Sequence, residues 1–365
     1  MINRGLKLFF VGVLLVGCSG SGDDMVSNPS GNSTMPNPDN GNNTQWLIPI
    51  EEVVDGGPGK DGIPSIDEPN FVHVQSAQFL ENEDLVVGVL TRDGYRAYPH
   101  KILDWHEIVN DEINGKVETI NYCPLTGTAF GWNGVFENET TTFGVSGLLY
   151  NANLILYDRA TDSYWSQLKL QCVNGERIHE TPGLLNIIEL PWSVWKSLYP
   201  ISDVLSTETG FSRNYNDYPY GPYKTDHDFF VFPVNQLNET LPSKERVFAV
   251  IENDLVKVYR LSQFSGGKTI KDSFNDKDLL LVGNDSFIVG FELNEATKNL
   301  SFSYELQGNV TGEGSLFKDD EGNKWSAFGK AIEGGKLGSS LGRPKSVTGY
   351  WFAIAAFYPN PVIYE

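Results

Sequence analysis

Two stretches of this chain, about 160 residues apart, carry matching residues in the same order, and that repeat limits the architecture more than any other feature. Val86-Val87-Gly88-Val89 leads into Asp93-Gly94-Tyr95-Arg96-Ala97-Tyr98; Val247-Phe248-Ala249-Val250 leads into Asp254-Leu255-Val256-Lys257-Val258-Tyr259, and Asp111 falls opposite Asp272. Residues 157–168 (YDRATDSYWSQL) lie against 317–328 (FKDDEGNKWSAF), with Trp165 on Trp325, and residues 192–200 (WSVWKSLYP) against 351–359 (WFAIAAFYP). Three matched blocks in one order predict a module used twice.

Within each copy the apolar residues alternate or form short β-branched runs, as in Thr119-Ile120-Asn121-Tyr122, Leu154-Ile155-Leu156-Tyr157 and Leu279-Leu280-Leu281-Val282. Such runs read as strands. Asn114-Gly115, Asn133-Gly134, Asn174-Gly175 and Glu321-Gly322-Asn323 supply turn chemistry suited to hairpins. Helical spacing is confined to 101–109, 193–198 and 352–357. The expected fold is mainly β (α+β): two similar β-rich modules, 46–205 and 244–365, with a few short helices. Between them, 206–243 is rich in Tyr, Pro and Asn and reads as an ordered linker that packs on one or both modules.

The N-terminus carries a separate message. Arg4 and Lys7 precede an apolar run from Leu8 to Val16, a length that suits a signal-peptide core and is too short to span a bilayer. The run ends in Leu15-Val16-Gly17-Cys18, which resembles the lipobox of bacterial lipoproteins. Residues 1–17 are thus expected to be removed and Cys18 lipidated, which tethers the protein to a membrane by acyl chains. Ser19 after the cysteine matches the sorting preference for the outer membrane. Residues 18–45 are mostly Ser, Gly, Asn, Asp and Pro, a composition that cannot bury enough surface to order itself, and they read as a flexible tether. The formal charge of −20 argues against nucleic acid as a partner. With Cys18 lipidated, Cys123 and Cys172 remain, enough for one disulfide in an exported protein.

Features held by one copy alone are candidates for function rather than folding. The first copy has His100, His106 and Glu107 where the second has Leu261, Gly267 and Lys268; it has Asn121-Tyr122-Cys123-Pro124-Leu125-Thr126-Gly127-Thr128 where the second is shorter and plainer. The sequence also resembles a known family, domain-of-unknown-function family 3179 of exported bacterial and archaeal proteins. The resemblance is carried by residues 56–67 (GGPGKDGIPSID), Ala97-Tyr98-Pro99, residues 106–111 (HEIVND), Tyr122-Cys123-Pro124-Leu125, residues 143–149 (FGVSGLL), Tyr157-Asp158-Arg159 and Trp165-Ser166-Gln167, and it extends from about residue 50 to the end. It implies a fold neighbourhood and no reaction. Many relatives of this kind carry a second cysteine where Thr126 stands, as Cys-Pro-Leu-Cys, and the departure here weakens a dithiol mechanism.

The candidate catalytic group is Cys123, His106 and Asp111, beside Glu107. A cysteine next to imidazole can be held as thiolate, and His106 with Cys123 would suit copper or zinc or a covalent nucleophile. Two other readings stay open: a small buried Cys123 with His106 and Asp111 bracing a helix end, and a Cys123–Cys172 disulfide. Lys60, Asp61, Asp158, Arg159, Trp165 and Gln167 form a second candidate set, for ligand binding; Asp158 and Arg159 are expected to pair with each other. Tyrosine rings in the linker suit a glycan or serve to pack it down. No phosphate loop, nucleophile elbow or dinucleotide fingerprint is present. The sequence supports a cell-envelope lipoprotein with a metal or thiol site, and alternatively a non-catalytic binder of a glycan or other small envelope ligand.

Overall fold

The alternating segments are strands, and the computed structural model describes residues 45–136 and 139–365. Cys18 and the expected signal peptide and tether up to residue 44 lie outside the described residues. Among the described residues the fold is mainly β, with three seven-residue helices, α1 (His100–His106), α2 (Trp192–Leu198) and α3 (Trp351–Phe357). Among the described residues no helix is long and apolar enough to cross a membrane.

The first half begins with the hairpin Leu85–Thr91 and Gly94–Pro99, continues through α1, and forms a second sheet from Ile108–Ile113, Lys116–Cys123 and Thr128–Asn133. A third sheet takes Phe143–Tyr150, Asn153–Asp158, Tyr164–Ser166 and Gln171–Asn174. The chain then returns as Ile187–Pro191 beside Leu85–Thr91, makes α2, and ends in Asp203–Leu205, parallel to Gly94–Pro99. The second half repeats the order. Arg246–Glu252 and Leu255–Arg260 pair; Lys268–Phe274, Lys277–Gly283 and Ile288–Glu292 form the next sheet; Phe302–Gln307 to Ala331–Glu333 form the third. Ser346–Tyr350 returns to Arg246–Glu252, α3 follows, and Val362–Ile363 lies parallel to Leu255–Arg260.

Three details differ from the sequence expectation. The first helix stops at His106, because Glu107 turns to φ 57° and the following Ile108–Ile113 pairs across Asn114-Gly115 with Lys116–Cys123. Asn133-Gly134 and Asn174-Gly175 end strands whose next partners lie elsewhere, so neither closes a hairpin; Glu321-Gly322-Asn323 does. The 157–168 and 317–328 blocks match with a one-residue slip. Leu156 and Phe317 both pair with the tryptophans, so Asp158 stands opposite Asp319 rather than Lys318. Both aspartates accept the indole N–H, at 2.9 Å from Trp165 and 3.0 Å from Trp325.

The two halves share their cores. Helix α3 and the Val247–Val258 strands pack with Trp132, Phe143, Leu154, Leu156 and Trp165 of the first half. Helix α2, with Val86 and Ile188, packs with Leu280, Phe291, Leu316, Phe317 and Trp325 of the second. Seven-residue helices are marginal alone, and burial of an apolar face supplies what propensity cannot. Trp195, Leu198, Trp351 and Ile354 are fully buried, each contributing roughly 1.5–3 kcal/mol or more. The exchange is pinned by polar bonds: Tyr358 donates to Leu168 O (2.9 Å), Gly314 N–H to Leu198 O (2.7 Å) and Tyr350 N–H to Thr126 O (2.8 Å). Gly88 gives the Trp195 ring its place, since a Cβ there would lie 1.9 Å from a ring carbon. The linker carries no strand or helix, yet Tyr215, Tyr223 and Leu241 are buried and Tyr218, Tyr220 and Phe230 pack against the shared core.

Candidate functional site

The structure gives His106 and Cys123 different surroundings. His106 is fully buried at the end of α1, with Nδ1 2.8 Å from Pro64 O and Nε2 2.7 Å from the Tyr215 hydroxyl. Nδ1 facing a carbonyl must donate, so Nε2 accepts from Tyr215, which leaves a neutral ring with no free nitrogen. Burial lowers its pKa, in line with that assignment. Cys123 packs in the core beside Leu125 and Leu154, its thiol 3.6 Å from Ala152 O. Burial and then Glu107 push it up to about 11, so it is a neutral thiol. Cys172 is likewise buried and free, pushed up to about 12 mainly by burial, and the two cysteines form no disulfide. Among the described residues no three His, Cys, Asp or Glu side chains are placed to hold a metal ion. A copper or zinc site on His106 and Cys123 finds no support in this arrangement.

Asp111 is bound elsewhere, to Arg96 (2.6 Å) and the Tyr98 hydroxyl (2.5 Å). The second half repeats this trio as Lys257, Tyr259 and Asp272, so the same ion pair and hydrogen bond join strands in both halves. The second candidate set is tied up internally. Lys60 pairs with Asp162, Asp61 accepts from the Tyr157 hydroxyl, and Arg159 pairs with Asp67 at 2.8 Å rather than with Asp158. Asp158 is held by Thr161 and Trp165. Gln167 is fully buried in a network with Asn121, Thr128 and Asn153 that locks two sheets together. Thr126 belongs to the same network, donating or accepting at 2.8 Å from Thr128.

A different constellation emerges beneath the linker. Helix α1 turns His100 and Asp104, four apart and therefore on one face, toward the interior. His100 Nε2 lies 3.0 Å from Glu189 Oε2, though off hydrogen-bonding geometry, and Arg246 of the second half caps the other Glu189 oxygen. Burial pushes Glu189 up, but Arg246 and His100 together outweigh it and hold the carboxyl at about 2. Asp104 is raised by burial and partly brought back by Lys224, whose ammonium sits 2.8 Å away and 4.0 Å over the Tyr218 ring. Glu107 is pushed to about 8 by burial, against a hydrogen bond from Tyr220. The Tyr122 ring lies 4.4 Å from the His100 ring, tilted by 46°, and Tyr350 of the second half stands by. Both halves and the linker therefore contribute to one polar cluster. Asp104 Oδ1, His100 Nε2 and the Tyr218 hydroxyl are buried there without hydrogen-bond partners.

Of this cluster the sequence comparison singled out His100, Glu107 and Cys123. It missed Asp104, Glu189 and Arg246. The signals were an aspartate four residues after His100 on a helix, and a glutamate inside the apolar run Ile187-Ile188-Glu189-Leu190.

Glu107 yields a prediction. Its folded value near 8 lies above the ordinary 4.5, so between those values the folded chain keeps a proton that the unfolded chain gives up, and stability falls as pH rises through 4.5–8. Glu107→Gln should flatten that slope in urea titrations and gain on the order of 4 kcal/mol at pH 8. An unchanged slope would show that Glu107 ionises normally.

The fold and the site define a mainly β protein whose halves exchange helices around a buried acid-rich, tyrosine-walled cluster. The chain belongs to the family described as Protein of unknown function (DUF3179), whose model matches residues 60–361. No curated protein and no solved structure matches it.

Proposed function

We propose that this chain is a non-catalytic ligand-binding protein of the cell envelope, that it holds a neutral glycan unit in the cluster beneath the linker, and that its halves arose by duplication of one module. The observation that carries the reading is the pair of unmet buried atoms, Asp104 Oδ1 and the Tyr218 hydroxyl, beside tyrosine rings. Buried polar atoms are almost always bonded, so two in one place call for a partner that both donates and accepts. A sugar hydroxyl does both, and sugar faces stack on aromatic rings. The charges favour a neutral ligand: Glu189 is balanced by Arg246, Asp104 by Lys224, and Glu107 keeps its proton at neutral pH. The neutral thiol of Cys123 speaks against nucleophilic chemistry.

Calorimetric titration of the purified lipoprotein with disaccharide fragments of peptidoglycan and with chitobiose tests this. Asp104→Asn keeps the shape and removes the charged acceptor, a bond of about 1.5–3 kcal/mol, so binding should weaken about tenfold or more. No binding of either sugar, or equal binding by the variant, would sink the reading. The anchor is tested separately. Mass spectrometry of the membrane-extracted protein should find an acylated Cys18 at the N-terminus, and a chain still beginning at Met1 would refute it.

A further inference from the structure

The return strands of the two halves meet at a cavity of about 190 Å³. Ile187 pairs with Val89 as Ser346 pairs with Val250, so residues 184–187 and 343–346, which wall the cavity, are equivalent positions of the two halves. Their chemistry is opposite. One wall is Leu184, Leu185, Asn186 and Ile187; the other brings Arg343 and Lys345. Arg343 donates to Ile187 O (3.0 Å) and Ala327 O (3.4 Å), which leaves further guanidinium N–H groups unused. Among the described residues no carboxylate pairs with Arg343 or Lys345, in a chain whose formal charge is −20. Burial lowers Arg343 to about 10, still fully charged at neutral pH.

We propose that this seam binds a small organic monocarboxylate with a compact apolar body. The carboxylate takes the free N–H groups of Arg343 and the Lys345 ammonium, a charge-assisted pairing that suits a guanidinium fork. The body lies on Leu185, Ile187 and Phe130. The volume suits a single ring or a branched short chain. The inference is independent of the glycan reading, because the two sites share no proposed ligand contact.

Fluorine NMR of the full chain with para-fluorobenzoate tests it. Saturable broadening of the probe is expected, with none for the neutral para-fluorobenzamide and no displacement by equimolar inorganic phosphate. Arg343 also stitches the halves together, so the diagnostic variants are the exposed Lys345→Ala and Asn186→Tyr, which remove the rim charge and block the mouth; each should weaken binding about tenfold. Absence of saturable binding, equal binding of the amide, displacement by equimolar phosphate, or unaffected variants would overturn the proposal.

Discussion

Arg246→Met is expected to lower the free energy of unfolding by about 3–5 kcal/mol. Arg246 and Glu189 sit on strands from different halves, and their side chains are only 23% and 11% exposed. Removing the guanidinium leaves Glu189 desolvated, with His100 Nε2 at 3.0 Å as its remaining polar neighbour. The pH dependence gives the sign. Glu189 is held near 2 against an ordinary 4.5, so the stability it contributes is present above 4.5 and is lost as pH falls toward 2. In urea titrations the wild type should lose stability across that window and Arg246→Met should lose much less. The double variant Arg246→Met/Glu189→Gln should recover part of the loss, because no buried charge is then stranded. A single variant within about 1 kcal/mol of wild type would mean the pair is solvated after all.

Trp351→Ala should cost about 3–5 kcal/mol, and the damage should appear in the half of the chain that does not contain it. Trp351 is fully buried, donates to Asn238 O at 2.7 Å, and belongs to the core that holds Leu154, Leu156 and Trp165. Hydrogen exchange should therefore accelerate in Asn153–Asp158 as well as in Arg246–Glu252. Trp195→Ala in α2 should show the mirror effect in Ser315–Asp319. Exchange confined to the mutated half would show that the halves fold as separate units.

The scaffold was legible because its signals are local. Alternation at 119–122, the apolar run at 279–282, the Asn114-Gly115 turn and the Trp-headed helices each depend on neighbours in sequence, and each appears where expected. The slip between Asp158 and Asp319 was not legible, since one extra turn residue is invisible to an ungapped comparison until the Trp165 and Trp325 bonds fix the register. The site was legible only in part. One-copy residues pointed to α1 and Cys123, but the partner of Glu189 lies 57 positions away in the other half, and Asp104 meets Lys224 across 120. Spacing says nothing about such pairs. His106 drew attention as an imidazole near a cysteine in sequence; at the end of α1 it meets Pro64 and Tyr215 instead.

Ring-selective carbon labelling of tyrosine tests the site directly, because Tyr218 and Tyr220 cover the cluster from the linker. When a peptidoglycan disaccharide is added, the ring resonances of those two residues should move, while those of Tyr259 and Tyr304, in the second half, stay fixed. A sugar that binds yet leaves Tyr218 and Tyr220 unmoved would place the ligand elsewhere and contradict the account.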